Sequence, residues 1–367
     1  MSIKFQLAAA ARPVLLTAAA VGALVFAVGP ASANHVSCGD TIVADTTLDS
    51  DLVSCPNNGI VIGADDVTLD LNAHTVVGNG QPVKRCPEDE FCDVGVLNDG
   101  HDGVTVKDGS VRDFGTGVFV GKARHHRVLN VSSSRNQFFG FVVAESARSV
   151  VRDSSGNRNP GPDGDGIAVF GSRHVRILDN SFRHNELGMH VEASTDILIK
   201  GNVFSRNFGP GILMEADRNR VRRNRFVRNP SAIIVAPGNR NVIARNRITR
   251  GGEGVAIEKG RGNRVAHNVI VRVRRAGIRL GVEKPPIGGV NTVVRRNLVR
   301  GSGSDGYLVA RSDRRSLLRG NIAGGAGDDG FDVESRSTKL TGNRAVAQRR
   351  PRHRSRARGH RRRRQQG

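Results

Sequence analysis

Four aspartates near the C-terminal end carry the sharpest chemical signal in the chain. The run Asp328-Asp329-Gly330-Phe331-Asp332 follows Asp305, and Asp305 precedes Asp329 by 24 residues. A fold that repeats with about that period stacks Asp305 on Asp328 or Asp329. Two carboxylates at 4–6 Å repel by about 3–4 kcal/mol at an effective dielectric near 20. A cation, a proton or nearby arginines must offset this. Ca2+, which takes six to eight oxygen ligands, suits such a group. Turn chemistry alone is the alternative, since Asp-Gly pairs make tight turns. The related Asp163-Gly164-Asp165-Gly166 is read as a turn.

Two further columns of charge stand out. Arg206, Arg228, Arg250 and Arg272 are each 22 residues apart, with Arg183 and Arg300 near the same station. A straight cationic stripe suits a linear polyanion through several charge contacts acting together; the alternative is a charged face that only keeps the protein soluble. Glu192, Glu215, Glu258 and Glu334 each fall four residues after a recurring glycine. They are read as a hydrolase pair or as partners of nearby arginines. His74, His125, His126 and His190 show no ligand spacing shared between neighbouring units, and no Ser-His-Asp signature or phosphate loop is present.

The residue types that are missing narrow the ligand. The chain has no Trp and one Tyr, Tyr307. Neutral sugars are gripped through aromatic faces, which this surface hardly supplies. An acidic glycan held by arginine and Ca2+ needs fewer. Nucleic acid is not the expected partner, because stacking platforms are scarce and the chain carries an export signal.

These residues must be positioned by a repeat. Glycine followed by apolar-x-apolar recurs at Gly95, Gly117, Gly140, Gly166, Gly188, Gly211, Gly254, Gly277, Gly306 and Gly330, with Ala232 filling one gap. In register, Asn180, Asn202, Asn224, Asn246 and Asn268 are 22 apart, and Asn297, Asn321 and Asn343 continue the series. Two residues after each of the first six stands Phe182, Phe204, Phe226, Ile248, Ile270 or Val299. Runs such as Gly166-Ile167-Ala168-Val169 alternate like strands, and Gly, Asn, Asp and Ser punctuate them. No run has the period of a long helix. One such unit cannot bury its apolar face alone, whereas stacked units bury a continuous core. The pattern predicts an all-β, single-stranded right-handed parallel β-helix of about 12 coils of about 22 residues. The phenylalanines form an interior column and the asparagines a hydrogen-bonded ladder. An ankyrin or leucine-rich array lacks support, since the units have neither the leucine signature nor a helical half.

The ends differ from the repeat. Lys4 and Arg12, the apolar Val14 to Val28, and Ala31-Ser32-Ala33 read as a signal peptide over 1–33 with cleavage after Ala33, hence an extracellular protein with no membrane span after cleavage. An uncleaved anchor is the alternative. Four cysteines in an exported chain read as two disulfides; of the three pairings that sequence permits, Cys38–Cys55 with Cys86–Cys92 is preferred, because each closes a short local loop. Residues 34–58 are assigned to a disulfide-bearing N-terminal cap and 59–346 to the β-helix. From Arg349 to Arg364 there are ten arginines and no acid; removing them takes the formal charge from +22 to +12. Residues 347–367 are therefore expected to be a disordered tail, either a polyanion-binding arm or non-adaptive.

The opening Cys38-Gly39-Asp40-Thr41-Ile42, then Cys55-Pro56, then Val67-Thr68-Leu69-Asp70-Leu71-Asn72-Ala73-His74-Thr75, resembles the start of secreted pectin-lyase-like β-helix proteins. These include NosD-like and carbohydrate-binding/sugar-hydrolase domains, and the resemblance covers about residues 38 to 346. It implies the β-helix fold. The Asp-Asp-Gly-aromatic-Asp stretch is also similar to that of one family of calcium-dependent pectate lyases. That resemblance implies Ca2+ at Asp305, Asp328, Asp329 and Asp332. The proton-abstracting lysine of those enzymes has no match, because Lys339 lies too close in sequence. Three classes of function follow: a polysaccharide-active lyase or hydrolase, a monomeric non-catalytic binder of acidic or cell-surface glycan, and a NosD-like maturation factor.

Overall fold

A computed structural model describes residues 35–81, 92–161, 164–283 and 286–347. The expected signal peptide, Cys86 with its proposed bridge to Cys92, and the arginine run from 349 lie outside these residues.

The described chain winds into three parallel ladders of short strands, and no helix occurs among these residues. The first ladder has 13 strands, from Asp40–Ile42 to Phe331–Val333. The second runs from Thr46–Thr47 to Lys339–Thr341, and the third from Leu52–Cys55 to Arg344–Val346. Each coil contributes one strand to each ladder. Two long strands, Thr105–Arg112 and Arg127–Ser134, serve the second and third together. The first coil already lies within residues 34–58, so the stack begins inside the segment assigned to a cap. The Cys38–Cys55 disulfide ties that coil at its start and end.

Alternation along each strand sends one side chain in and the next out. The inward residues of the first ladder are Ile167, Met189, Ile212, Ile233, Val255, Ile278 and Tyr307, all buried. In the third ladder Phe182, Phe204 and Phe226 stack with ring centroids 5.3 and 5.0 Å apart. The recurring glycine is needed because a Cβ at Gly188 would stand 2.8 Å from the Phe204 ring and 2.5 Å from the carbonyl oxygen of Gly211.

Three side-chain ladders, not one, close the turns. Asn180 donates its amide to Asn202 at 3.0 Å, and the contact repeats through Asn224, Asn246, Asn268, Asn297 and Asn321 to Asn343. A second series joins Asn136, Asn159, Asn185, Asn207 and Asn229. A third passes from Ser146, Ser172 and Ser194 to Asn219, Asn241 and Asn263. Buried polar groups are expensive unless paired, and here each coil satisfies the next.

Candidate functional site

The acidic run enters the first ladder at its last two strands, Tyr307–Val309 and Phe331–Val333. The backbone amide of Asp329 donates to Asp305 Oδ1 at 3.1 Å, which fixes the two coils in the expected register. Asp332 pairs with Leu308 and faces outward, while Phe331 turns inward and stacks on Tyr307 with centroids 4.6 Å apart. Carboxylate oxygens of Asp305, Asp329 and Asp332 all lie within 4.8 Å of one another. Asp328 is exposed and lies outside this group, although its charge adds to the repulsion on Asp305. Asp305 is buried. Desolvation, then the neighbouring acids, push its carboxyl up to about 6 against the amide of Asp329. Three converging hard oxygen donors, one of them buried, fit Ca2+ by donor type. Lys339 begins a strand of the second ladder and pairs with Leu317, so it stands on a different sheet from the acids.

The arginine column occupies the turn that leads from the third ladder back to the first. Backbone amides of Arg206, Arg228, Arg250 and Arg272 each donate to the carbonyl one coil on, at 2.8–3.2 Å. All four side chains are exposed, and none makes an ion pair with another described residue. All four adopt the left-handed conformation, with φ of 56–58°. The column is longer than the 22-residue spacing suggests: Arg135, Arg158 and His184 hold the same turn in the preceding coils. Arg183 and Arg300 stand one residue earlier, inside strands, and are not part of it. After Arg272 the turn is taken by Gly301 and Gly325, and the chain then enters the first ladder through Asp305 and Asp329. From Arg206 to Arg272 unpaired positive charge thus runs down this turn, and it stops before the carboxylates begin.

The outward face of the first ladder aligns Ala168, His190, Leu213, Ile234, Ala256, Arg279, Leu308 and Asp332. Two polar clusters stand on it, and the first includes an arginine partner of the kind expected for the glutamate column. Arg279 is held by both oxygens of buried Glu253, at 2.8 and 3.1 Å, and by Glu258 at 2.8 Å. His190 lies between Asp165, 3.9 Å from Nδ1, and Glu215, 3.3 Å from Nε2. Of the glutamate column, Glu192 and Glu215 are direct neighbours. Glu258 lies two coils from Glu215 and answers an arginine, and Glu334 lies three coils further on. Tyr307 is buried, with its hydroxyl donating to the Asn297 carbonyl at 2.9 Å. The exposed surface therefore offers no tyrosine among the described residues.

Residues 156–284 match the model of the family described as "Periplasmic copper-binding protein (NosD)". None of the curated proteins matches the chain in sequence. Among solved structures, a GH87 alpha-1,3-glucanase catalytic unit from Streptomyces thermodiastaticus is 17% identical with a TM-score of 0.55. That match covers 83% of this chain and 62% of the glucanase. A mutant of the periplasmic alginate epimerase AlgG is 17% identical with a TM-score of 0.50, covering 83% of this chain and 73% of the epimerase. DFA-IIIase from Arthrobacter chlorophenolicus is 14% identical with a TM-score of 0.49, and 66% of each chain is covered. For the glucanase and the epimerase, at such identities, the likeness is one of fold. The chain is a right-handed parallel β-helix of the pectin-lyase-like type.

Proposed function

We propose that this chain is an exported binder of linear acidic polysaccharide, assisted by Ca2+ at Asp305, Asp329 and Asp332. One observation carries the reading: an exposed arginine recurs at the same turn in four successive coils, from Arg206 to Arg272, and the carboxylate cluster follows beyond it. Coils repeat at ~4.8 Å. A polyuronate likewise carries one carboxylate per sugar along a linear chain, so charges meet in step. Each exposed contact is weak alone, and the sum is salt-sensitive. Left-handed backbone costs about 1–2 kcal/mol for a residue with a Cβ. Glycine, asparagine or aspartate would occupy such turns with less strain, yet arginine holds left-handed positions at the other turns too, at Arg218, Arg223, Arg240 and Arg245. Ca2+ at the acids would let a polyanion continue past Arg272 without facing bare carboxylates.

The reading proposed is binding; among the described residues Lys339 stands on a different sheet from the acids, and Lys284 lies outside those residues. The test is retention of the full chain on immobilised polygalacturonate, with Ca2+ and with chelator. Retention should fall in the fourfold Arg206→Asn, Arg228→Asn, Arg250→Asn, Arg272→Asn variant and in Asp329→Asn. Unchanged retention in both, with the fold intact, refutes the reading. Unsaturated product, read by ultraviolet absorbance, would show a lyase instead.

The match over residues 156–284 favours a second reading, an extracytoplasmic NosD-like maturation factor. Soft metals prefer thioether or thiolate ligands. Met189 and Met214 are buried inside the coils, which weighs against a copper(I) surface there. Copper(I) uptake by the chain that is lost on substituting surface histidines would favour it.

A further inference from the structure

We infer that His190, Glu192 and Glu215 form a binding site for a divalent transition metal of the Zn2+ class, backed by Asp165. This site is independent of the acid cluster at Asp305. His190 and Asp332 share the outward column of the first ladder but stand six coils apart, ~29 Å at ~4.8 Å per coil.

Three successive strands bring the four residues together. Asp165–Phe170, Leu187–Thr195 and Ile212–Asp217 pair in parallel, aligning Phe170, Glu192 and Glu215 in one column and Ala168, His190 and Leu213 in another. His190 Nε2 and Glu215 Oε2 are 3.3 Å apart. Two donors bound to one tetrahedral Zn2+ at ~2.0–2.2 Å are separated by ~3.3–3.5 Å. The pair therefore already stands at metal-bridging distance, longer than a good hydrogen bond. Glu192 completes the set: donor atoms of the three residues lie within 4.8 Å of one another. Its exposed side chain can close the remainder by rotation, leaving a fourth position open to solvent.

The surroundings of His190 match those of a ligand. Metal-bound imidazole almost always turns its other ring nitrogen to a carboxylate or carbonyl. Here Nδ1 faces the Asp165 carboxylate at 3.9 Å, and Asp165 is 2% exposed and held by the first ladder. A shift of about 1 Å would make that contact a hydrogen bond. The ring is steadied from one side by Phe170, edge-on with centroids 5.4 Å apart. Every ligand comes from a strand and not from a loop, so the set is preorganised. In a chain of net charge +22, three acids crowd one histidine on this face. One imidazole, carboxylates and no sulfur select a borderline divalent ion over copper(I) and over the all-oxygen sphere of Ca2+. The competing account is a protonated His190 paired with Glu215 and no metal.

Calorimetric titration of Zn2+ into the full chain at pH 7, with Ca2+ present in excess, separates the two accounts. One Zn2+ should bind. His190→Ala and Glu215→Gln should each weaken it at least tenfold, and Asp165→Asn should weaken it about 10–100-fold. Asp305→Asn should leave it unchanged. Absence of Zn2+ uptake by the unaltered chain overturns the inference. So does undiminished uptake in His190→Ala and Glu215→Gln, whose circular dichroism must match that of the parent.

Discussion

Asp305 accepts a hydrogen bond from the backbone amide of Asp329, 3.1 Å away on the next coil, and this one contact sets the acid cluster. It partly offsets a carboxyl that burial and neighbouring acids push up to about 6. The folded chain therefore binds a proton at Asp305 more readily than the unfolded chain, whose carboxyl keeps its ordinary value of 3.8. Stability from this group is highest below pH 3.8 and falls as pH rises through about 6, by on the order of 3 kcal/mol in all. Ca2+ competes with the proton. Thermal unfolding should show a rise in midpoint on adding Ca2+ at pH 7.5 and little rise at pH 5. Asp305→Asn should remove the difference between the two.

Asn202 is the most connected member of the principal ladder. It supplies Oδ1 to the amide of Asn180 at 2.8 Å and donates to the Ile177 carbonyl at 2.8 Å and to Asn224 at 3.0 Å. Asn202→Ala strips partners from groups that are fully buried. Each orphaned group costs about 1–3 kcal/mol. Urea unfolding should show a large loss of midpoint, and Asn343→Ala, at the less buried end of the ladder, a smaller one.

Phe204 and Phe208 share a coil and differ in environment. Phe204 is fully buried between two stacked rings, whereas Phe208 is 67% exposed. Phe204→Ala should cost about 3–5 kcal/mol through lost transfer energy and a cavity. Phe208→Ala should stay within about 0.5 kcal/mol of the parent. Equal effects in denaturant titrations would contradict the coil register.

The Cys38–Cys55 bridge closes a 17-residue separation across the first coil. A loop of that size constrains the unfolded chain by about 3 kcal/mol. Reduction should first expose the N-terminal coils to proteolysis, since a stacked array depends on its ends. A chain whose N-terminal cleavage pattern ignores reductant would show that the bridge does not hold this end.

Most of the fold is legible because stacking makes sequence spacing equal to spatial position. The Gly and Asn recurrences each report a steric or hydrogen-bond requirement met once per coil, and the third-ladder phenylalanines stack as their 22-residue spacing implies. The two additional ladders carried the same signal at Asn185, Asn207 and Asn229 and at Asn219, Asn241 and Asn263, each 22 apart. They were hidden by the many other asparagines in arginine-rich turns. The His190 cluster was illegible for a different reason. Asp165, His190 and Glu215 are 25 residues apart at each step, three more than the prevailing period. They meet because side chains from different stations of the coil converge, which no single-column pattern reveals. The acids at 305 and 329 were legible from spacing, but Asp329 rather than Asp328 joins Asp332 because Gly330 leads the chain into the strand between them.

His184 offers a direct reading of the arginine column. It holds the same left-handed turn as Arg158 on one side and Arg206 on the other. Its pKa is lowered by desolvation first, and then by the charges of Arg206, Arg158 and Arg183. The electrostatic part belongs to the column and should respond to whatever neutralises it. Arg206→Asn keeps a residue that tolerates this backbone while deleting the charge that lowers His184 most, so the His184 titration should move upward toward its ordinary value of 6.5. Salt should do the same, because exposed charges are screened within about 10 Å at 0.1 M. A polyuronate lying on the column should raise the pKa further than equivalent free salt does, since its carboxylates are held in place. Nuclear magnetic resonance of the imidazole protons during pH titration measures all three. If added polyuronate leaves the His184 titration where simple salt puts it, the polymer does not lie along this turn, and any retention on acidic glycan arises elsewhere on the chain.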